Sequence, residues 1–311
     1  MTYTLRTPAQ TFKIGTRGSP LALWQAHEVR RSLQVAFDLP EAAFDIVVIK
    51  VTGDMIQDRA LKEIGGKGLF TREIEEALLA GSIDIAVHSM KDMPVLQPHG
   101  LLLDCYLPRA DVRDGFVSPH HASIADLPLG AVVGSSSLRR RAQLAHRRPD
   151  LALVEFRGNV QTRMKKLSDG VAQATFLAMA GLTRLEMSEV ARPIEVSEML
   201  PAVAQGAIGV ERRLDDTRAE AMLAAIHHLP TGQQLAAERA FLARLDGSCE
   251  TPIAGLAVLE GDQLWLRGEI LRPDGGRVIK GDIRGAVADG AAMGQALADR
   301  LLAEAGPGFF A

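Results

Sequence analysis

The stretch FKIGTRGSPLALWQAHEV, residues 12–29, joins a predicted β-strand directly to a predicted helix. Residues 12–16 are typical of a short strand. Ser19 followed by Pro20 indicates a helix start, because serine accepts hydrogen bonds from the first free backbone N–H groups and proline suits the first helical position. Apolar residues then recur with helical spacing as far as Val29. The sequence therefore predicts a β–α unit near its beginning.

The same alternation of strand and helix continues along the chain. The predicted strands after the first are residues 44–52, 83–88, 131–133, 151–156 and 174–177. The predicted helices among them are residues 71–79, 137–145 and 160–167. Such alternation indicates βαβ units, so we predict two α/β units of similar build, divided near Pro108, each with a mostly parallel sheet.

The last section follows another pattern. A helix is predicted at residues 233–245, and residues 264–271 alternate with the period of a strand. Turn signals at residues 261–262 and 273–276 separate short strands, and residues 287–305 have the pattern of an amphipathic helix. We therefore predict an α+β unit with a small antiparallel sheet.

Length and composition restrict the class of protein. The chain has 311 residues, of which 47% are hydrophobic and 23% charged, which favours two or three domains. A net charge of −3 and only 5% aromatic residues argue against a general nucleic-acid binder. Residues 1–12 lack the apolar core of a signal peptide, and the longest uncharged stretch, residues 170–183, is shorter than the about 18 apolar residues of a membrane span. We expect a cytoplasmic protein without a membrane partner.

Arginine-bearing segments follow four of the predicted strands. They are GTRGS (residues 15–19), GSSSLRR (134–140), RGNVQTR (157–163) and AGLTR (180–184). Because strand ends at one edge of an α/β sheet face the ligand crevice, these segments could converge there and bind carboxylates or phosphates. Each arginine could instead belong to a solvated helix face with an ordinary ion pair, and for Arg141, Arg147 and Arg148 we favour this interpretation. The expected ligand is small and carries several negative charges.

The segment HSMKDMP, residues 88–94, follows the strand predicted at residues 83–88. It places His88, Lys91 and Asp92 at the mouth of the same crevice. A short charged segment after a strand is also typical of an ordinary surface loop. Among many arginines, a carboxylate such as that of Asp92 has a chemical use if the reaction develops positive charge, which a fixed anion stabilises.

The two cysteines have different surroundings. Cys249 lies in a polar loop between Gly247 and Pro252, with no second ligand at the spacing of a metal site. Its accessible thiol is a candidate for covalent attachment, although an incidental thiol is an equal alternative. Cys105 lies in an apolar run and is predicted to be a core residue. Two cysteines this far apart do not indicate a disulfide framework.

Taken together and in order, these segments resemble the porphobilinogen deaminase family over nearly the whole chain. The matching segments are TRGSPLALWQA (16–26), GGKGLF (65–70), DIAVHSMKDMP (84–94), GSSSLRR (134–140), RRPDL (147–151), RGNVQTR (157–163), AGLTRL (180–185) and LDGSCETPI (245–253). The resemblance implies two α/β domains of the type II periplasmic-binding-protein architecture and a smaller C-terminal α+β domain with a three-stranded antiparallel sheet. Domain 1 would comprise residues 1–108 and 200–224, domain 2 residues 109–199, and domain 3 residues 225–311.

The resemblance also implies a chemistry for the site. A dipyrromethane cofactor would be attached to Cys249 as a thioether, and no metal would be needed. Four molecules of porphobilinogen would be joined head to tail with release of ammonia, and hydrolysis would yield hydroxymethylbilane for tetrapyrrole and haem biosynthesis. Asp92 would assist the loss of ammonia from the substrate and stabilise the resulting azafulvenium cation.

The same resemblance implies the binding residues. The cofactor would be held by Lys91, Ser135, Ser137, Arg139, Arg140, Arg163 and Arg184. The substrate would be bound by Arg17, Ser19, Arg157, Lys67 and His88. The family suggests that the enzyme, a transferase, is a monomer.

The sequence departs from the family pattern at three positions: Glu63 stands for lysine, Gln173 for aspartate and Ala204 for glycine. Two other classes of protein remain as alternatives. A non-catalytic anion-binding protein of two domains would leave Cys249 and the third domain without a role. A nucleic-acid binder that uses residues 139–148 would fit poorly with the acidic net charge.

Overall fold

The computed structural model describes residues 11–55, 71–245 and 251–310. The strands are β1 (Phe12–Arg17), β2 (Phe44–Ile49), β3 (Ile85–Ser89), β4 (Leu101–Tyr106), β5 (Asp114–Val117), β6 (Val132–Gly134), β7 (Ala152–Val154), β8 (Ala174–Ala178), β9 (Arg192–Pro193), β10 (Ile208–Arg213), β11 (Ile253–Glu260), β12 (Gln263–Leu271) and β13 (Val278–Ala286). The helices are α1 (Pro20–Phe37), α2 (Thr52–Met55), α3 (Arg72–Leu79), α4 (Leu138–Arg147), α5 (Val160–Ser168), α6 (Met179–Arg184), α7 (Thr217–Ala224), α8 (Leu229–Arg244) and α9 (Gly290–Ala305). Each strand and helix that the sequence predicts is present, with small shifts at its ends.

Two five-stranded sheets share one topology. The first has the order β2-β1-β3-β10-β4 and the second the order β7-β6-β8-β5-β9. In each sheet the first three strands are parallel and the other two are antiparallel to their neighbours. The first sheet and helices α1, α3 and α7 form unit 1. The second sheet and helices α4, α5 and α6 form unit 2. The predicted α/β class is confirmed. The sequence did not predict the strands β4, β5, β9 and β10, and their antiparallel pairings make both sheets mixed.

The antiparallel strands arise from the path of the chain between the two units. After β4 the chain crosses from unit 1 to unit 2 and enters the second sheet as β5. After β9 it crosses back and enters the first sheet as β10, between β3 and β4. Neither β5 nor β10 follows a crossover helix from a parallel neighbour, so the alternation of strands and helices in the sequence does not predict these two strands.

The start of α1 is formed as the sequence predicts. The Ser19 hydroxyl accepts a hydrogen bond from the Ala22 N–H at 3.3 Å, and Pro20 occupies the first turn. The buried face of the helix, which includes Val29 and Leu33, packs against Phe12 and other residues of the first sheet. The buried face of α1 thus holds the helix against the sheet, with the N-terminus of α1 next to the end of β1.

Unit 3 contains the predicted three-stranded antiparallel sheet, with the order β11-β12-β13. Helices α8 and α9 pack against it, and Phe241, Leu266 and Leu297 are buried in the shared core. The same core extends into unit 1, where it includes Met90 and Met93 from the segment after β3. Unit 3 therefore supports the segment that contains Lys91 and Asp92.

Two crossover segments, residues 107–113 and 199–207, connect units 1 and 2 and lie side by side. The Ala110 N–H donates to the Gly206 carbonyl at 3.2 Å. Gly206 has a φ of +86°, and a Cβ atom there would lie 2.7 Å from the Ala110 carbonyl oxygen. This close approach excludes any side chain at position 206.

A buried glutamate on α8 ties both crossover segments to unit 3. Glu238 accepts hydrogen bonds from the Arg109 guanidinium at 2.6 and 3.1 Å and from the Ala204 N–H at 2.6 Å. It also accepts one from the Ala257 N–H, on β11, at 2.8 Å. The carboxylate is fully buried and has several charged or polar partners, as a buried ion requires.

Ala204 adopts the left-handed backbone conformation, with a φ of 60°. A residue with a Cβ atom pays roughly 1–2 kcal/mol there, which explains glycine in the family pattern. We expect Ala204→Gly to change the free energy of unfolding by less than about 0.5 kcal/mol, because strain relief offsets the lost methyl group and the added backbone freedom. Ala207→Gly, at a buried alanine of ordinary φ, should cost about 1.5 kcal/mol. Urea denaturation of both variants makes the comparison, and equal losses would contradict it.

Candidate active site

A cleft lies between units 1 and 2, beside the crossover that leads back to β10. It contains a small cavity that is partly open to solvent. Its walls come from α1 and β3 of unit 1, from α6 of unit 2 and from the crossover. The lining residues that carry polar side chains are Gln25, Ser89, Lys91 and Arg184. The ends of β3 from unit 1 and β8 from unit 2 therefore meet at one place.

Lys91 and Asp92 lie on a single 3₁₀ turn, Met90–Asp92, that directly follows β3. The Met90 N–H donates to the Ala207 carbonyl at 3.1 Å, and the Met90 side chain is buried. Burial lowers the pKa of Lys91 to about 8, with the Asp92 carboxylate opposing the shift and the Arg140 guanidinium adding to it. The turn therefore presents one cation and one anion to the arginines of unit 2.

The N-terminus of α4 carries four of the predicted cofactor ligands. The Ser137 hydroxyl caps the helix by accepting a hydrogen bond from the Arg140 N–H at 3.4 Å. The Ser135 hydroxyl accepts one from the Ser137 N–H at 3.3 Å. Arg139 and Arg140 are both 5% exposed, so the structure buries both guanidinium groups beside this turn.

Both guanidinium groups bind a carboxylate that the sequence did not single out. Asp114, on β5, accepts a hydrogen bond from Arg139 at 2.7 Å and two from Arg140 at 2.6 and 3.0 Å. Gln205 also donates to it at 3.0 Å. Burial acts to raise the pKa of Asp114, but the two guanidinium groups outweigh it and hold the pKa far below its ordinary value. An aspartate at the start of the apolar run GFV, residues 115–117, was the available signal.

This pairing changes how the two arginines can act. Arg140 uses Nε, Nη1 and Nη2, since Nη1 donates to the Phe176 carbonyl at 2.8 Å. Arg139 retains a buried Nε that has no hydrogen-bond partner within the described part of the chain. Arg139 therefore has one buried donor without a partner among the described residues, whereas the described hydrogen bonds of Arg140 involve all three of its guanidinium nitrogens.

Arg163, on α5, lies among the same charges. Burial lowers its pKa to about 10, the nearby Arg140 and Arg157 guanidinium groups lower it further, and the Asp92 carboxylate opposes the shift. Its Nε donates to the Gly158 carbonyl at 2.9 Å, which fixes the side chain against its own loop. Asp92 of unit 1 and Arg163 of unit 2 are thus near enough for their charges to interact.

Arg184, at the end of α6, is buried where unit 2 meets α1 and the crossover. Its Nη2 donates to the Gly206 carbonyl at 2.8 Å, and its guanidinium lies 5.6 Å from the centre of the Trp24 ring. Burial lowers its pKa to about 10, with the Glu28 carboxylate opposing the shift. Arg17 ends β1, and Arg157 precedes α5; both are partly buried.

His88 has a partner that the sequence did not predict. Its imidazole is buried, and Nε2 lies 3.1 Å from a carboxylate oxygen of the buried Glu211, on β10. The ring therefore holds β3 to β10 instead of standing at the cleft mouth, and we do not assign it to substrate binding. Cys249, Lys67 and Glu63 lie outside the described residues.

Sequence comparison places these residues in a known family. Residues 12–221 match the family described as "Porphobilinogen deaminase, dipyromethane cofactor binding domain", and residues 233–303 match "Porphobilinogen deaminase, C-terminal domain". The chain belongs to the porphobilinogen deaminase family. It is 69% identical over 304 residues to the porphobilinogen deaminase of Paracoccus denitrificans, covering 97% of each chain. It is 52% identical over 305 residues to the chloroplastic porphobilinogen deaminase of Pisum sativum, covering 96% of this chain and 83% of that one.

Solved structures similar to this member of the porphobilinogen deaminase family include periplasmic solute-binding proteins. The periplasmic aliphatic sulphonate binding protein SsuA from Escherichia coli has a TM-score of 0.41 and 16% identity, and the match covers 76% of this chain and 70% of that one. A TRAP periplasmic solute binding protein from Desulfovibrio salexigens has a TM-score of 0.38 and 15% identity, with coverages of 74% and 79%. Similarity of this extent adds nothing to the family assignment.

The donor set fits the dipyrromethane cofactor of the porphobilinogen deaminase family. Such a group carries several carboxylates. The cations of Lys91 and Arg163 lie near each other and are partly buried, and the Nε of Arg139 has no hydrogen-bond partner among the described residues. A partly buried cation gains from a bound anion, because burial weakens its hydration. Within the described residues, no helix is both long enough and apolar enough to cross a membrane.

Proposed function

We propose that this chain is a porphobilinogen deaminase that joins four porphobilinogen molecules head to tail, releases ammonia at each addition and finally releases hydroxymethylbilane. The observation that carries the proposal is the meeting of the Lys91–Asp92 turn of unit 1 with the buried arginines of unit 2. The pKa values of Lys91 and Arg163 both respond to the charges of Asp92 and Arg140. The Asp92 carboxylate thus lies close enough to Lys91 and Arg163 for its charge to act on both cations.

The cations bind the acidic side chains of the pyrroles. Each porphobilinogen carries an acetate and a propionate, which arginine grips with paired hydrogen bonds. For the cofactor we assign Lys91, Ser135, Ser137, Arg139, Arg140, Arg163 and Arg184. For the substrate we assign Arg17, Ser19, Arg157 and, by family resemblance, Lys67.

Asp92 stabilises positive charge at the reacting carbon of the substrate. Loss of ammonia from the aminomethyl group leaves an azafulvenium cation, and a fixed carboxylate lowers the energy of a developing cation. When bound through Cys249, the dipyrromethane group supplies the pyrrole carbon that attacks the substrate. The chain positions Asp92 by burying Met90 and Met93 on either side of the turn.

Asp114 keeps the cationic wall in place. Without a carboxylate between them, the neighbouring guanidinium groups of Arg139 and Arg140 would repel each other in a buried setting. Asp114 and Gln205 connect these arginines to β5 and to the crossover. We propose that Asp114 orients the cofactor ligands without contacting the substrate.

The domain division is part of the proposal. Membership of β10 in the first sheet supports a domain 1 formed by residues 1–108 and 200–224, with domain 2 at residues 109–199 and domain 3 at residues 225–311. By family resemblance we propose that the enzyme is a monomer that needs no nucleic acid. By family resemblance we also propose a cytoplasmic location.

Intact-mass measurement tests the proposed function. Purified protein should carry two linked pyrrole units, consume porphobilinogen and gain one further pyrrole unit per addition. Cys249→Ser should lose both the added mass and the activity, because a hydroxyl is far less nucleophilic than a thiolate. Cys105→Ala, at the buried cysteine, is the matched control and should keep both.

Added mass that persists in Cys249→Ser would exclude the proposed attachment site. Wild-type protein that binds carboxylates, carries no added mass and never consumes porphobilinogen would instead support a non-catalytic anion-binding protein.

A further inference from the structure

Arg239, the neighbour of Glu238 on α8, binds the backbone immediately after the Lys91–Asp92 turn. Its Nη2 donates to the carbonyl oxygens of Pro94 at 3.0 Å and Val95 at 2.9 Å. It also lies 3.4 Å from the amide oxygen of Gln97. A side chain of unit 3 therefore holds two consecutive peptide groups of unit 1, two and three residues beyond Asp92.

The segment after Asp92 depends on such side-chain contacts. The turn itself is closed by the Met93 N–H, which donates to the Met90 carbonyl at 3.2 Å. Pro94 has no N–H to donate, so a regular ladder of hydrogen bonds cannot continue through it. The side chains of Met90 and Met93 are buried in the core that unit 1 shares with α8, so this core anchors the turn.

The side chain of Arg239 is partly buried. Burial lowers the pKa of its guanidinium, and Tyr106 and the Glu211 carboxylate oppose the shift. Glu211 is the same buried carboxylate that binds His88, three residues before Lys91. Because desolvation offsets much of what a buried ion contributes to stability, we expect the effect of Arg239 to lie mainly in geometry.

Helix α8 also connects this contact to the two crossover segments. Glu238, the preceding residue of α8, binds Arg109 of one segment and the Ala204 N–H of the other. The backbone after Asp92 and both crossover segments are thus bound by neighbouring residues of one helix.

We propose that Arg239 is a positioning residue for the reaction: by holding the carbonyls of Pro94 and Val95, it keeps the turn that carries Asp92 in place beside the cleft. This inference rests on the proposed function. It assigns Arg239 no contact with substrate, so its loss should lower kcat and leave KM nearly unchanged.

Arg239→Met tests the inference against Arg213→Met. Arg213 also donates to two backbone carbonyls of unit 1, those of Leu78 at 2.8 Å and Ile83 at 2.7 Å, but belongs to neither the cleft nor α8. We expect Arg239→Met to keep the covalent pyrrole mass and to lower kcat at least tenfold, with KM within twofold of wild type. Arg213→Met should keep kcat within twofold.

Hydrogen–deuterium exchange gives a readout independent of activity. Amides of residues 90–97 should exchange faster in Arg239→Met and at the wild-type rate in Arg213→Met. Arg239→Lys keeps the charge without the planar fork, so kcat should lie between those of wild type and Arg239→Met. If Arg239→Met does not fold, the test uses Arg239→Lys instead. A wild-type kcat and wild-type amide exchange at residues 90–97 in that variant would overturn the inference.

Other outcomes separate the two proposals. One outcome is that wild-type protein carries the pyrrole mass and is active, while Arg239→Met has an unchanged kcat. This outcome excludes the positioning role and leaves the proposed function intact. An equal loss of kcat in Arg213→Met also overturns the positioning role, because the effect is then one of general destabilisation. Wild-type protein without pyrrole mass or turnover overturns the proposed function, and the inference with it.

Discussion

Asp92→Asn lowers kcat by about 10²–10³-fold, the usual effect of removing one preorganised group that stabilises transition-state charge. The amide keeps the shape of the side chain and removes its negative charge. Because the Asp92 carboxylate raises the pKa values of Lys91 and Arg163, its loss should also lower both. Steady-state kinetics with porphobilinogen over a range of pH measures both effects.

The control is Asp104→Asn, which removes an aspartate of unit 1 that pairs with Arg212 at 2.9 Å on β4 and β10. This variant should keep kcat within about twofold, since it alters a partly exposed ion pair away from the cleft. Intact mass should show the pyrrole units on both variants. Near-normal turnover by loaded Asp92→Asn would remove Asp92 from the mechanism.

Asp114→Asn is expected to be the most destabilising of these substitutions. It leaves Arg139 and Arg140, both buried, without the carboxylate between them. Removing one partner of a buried ion pair costs about 3–5 kcal/mol, because the remaining charge is uncompensated. Urea denaturation at neutral pH measures the loss. Asp111→Asn is the matched control, since Asp111 and Arg113 are about one-third exposed and their pair should contribute no more than about 1 kcal/mol.

The pH dependence of this loss has a definite sign. The pKa of Asp114 is lower in the folded protein than the roughly 3.9 of an unfolded chain, so its charge stabilises the folded state above that value. The stabilisation is complete near neutral pH and is lost as the pH falls from about 4 towards the folded pKa. The difference in unfolding free energy between wild type and Asp114→Asn should therefore shrink on acidification. A difference that is constant from pH 7 to pH 3 would contradict the assignment.

Local patterns predicted those parts of the structure that depend on neighbours in sequence. Ser19 and Ser137 cap α1 and α4 because a hydroxyl needs only the N–H groups two or three residues ahead. The period-two alternation of residues 264–271 predicted β12 for a similar reason. The sequence also placed the arginine segments of unit 2 beside the Lys91–Asp92 turn, because strand ends fix where such segments lie.

Contacts between distant residues could not be predicted in this way. Arg109 and Glu238 are 129 residues apart, and nothing in the sequence around either residue indicates the other. The same holds for Asp114 with its two arginines, for His88 with Glu211 and for Arg239 with the carbonyl of Pro94. A charged residue on an apolar helix face, as at Glu238, indicates that some partner exists but not which one.

The return of β10 to the first sheet has a consequence for how the protein is made. A ribosome releases β1 to β4 long before β10, the strand that must lie between β3 and β4. Until β10 is made, β4 lacks the strand with which it pairs in the folded protein, and one edge of β3 stays unpaired. Unpaired strand edges are sites at which nascent chains aggregate. The first α/β unit is therefore completed only after the second has been synthesised, and a fragment that stops before residue 208 lacks the strand that completes its sheet.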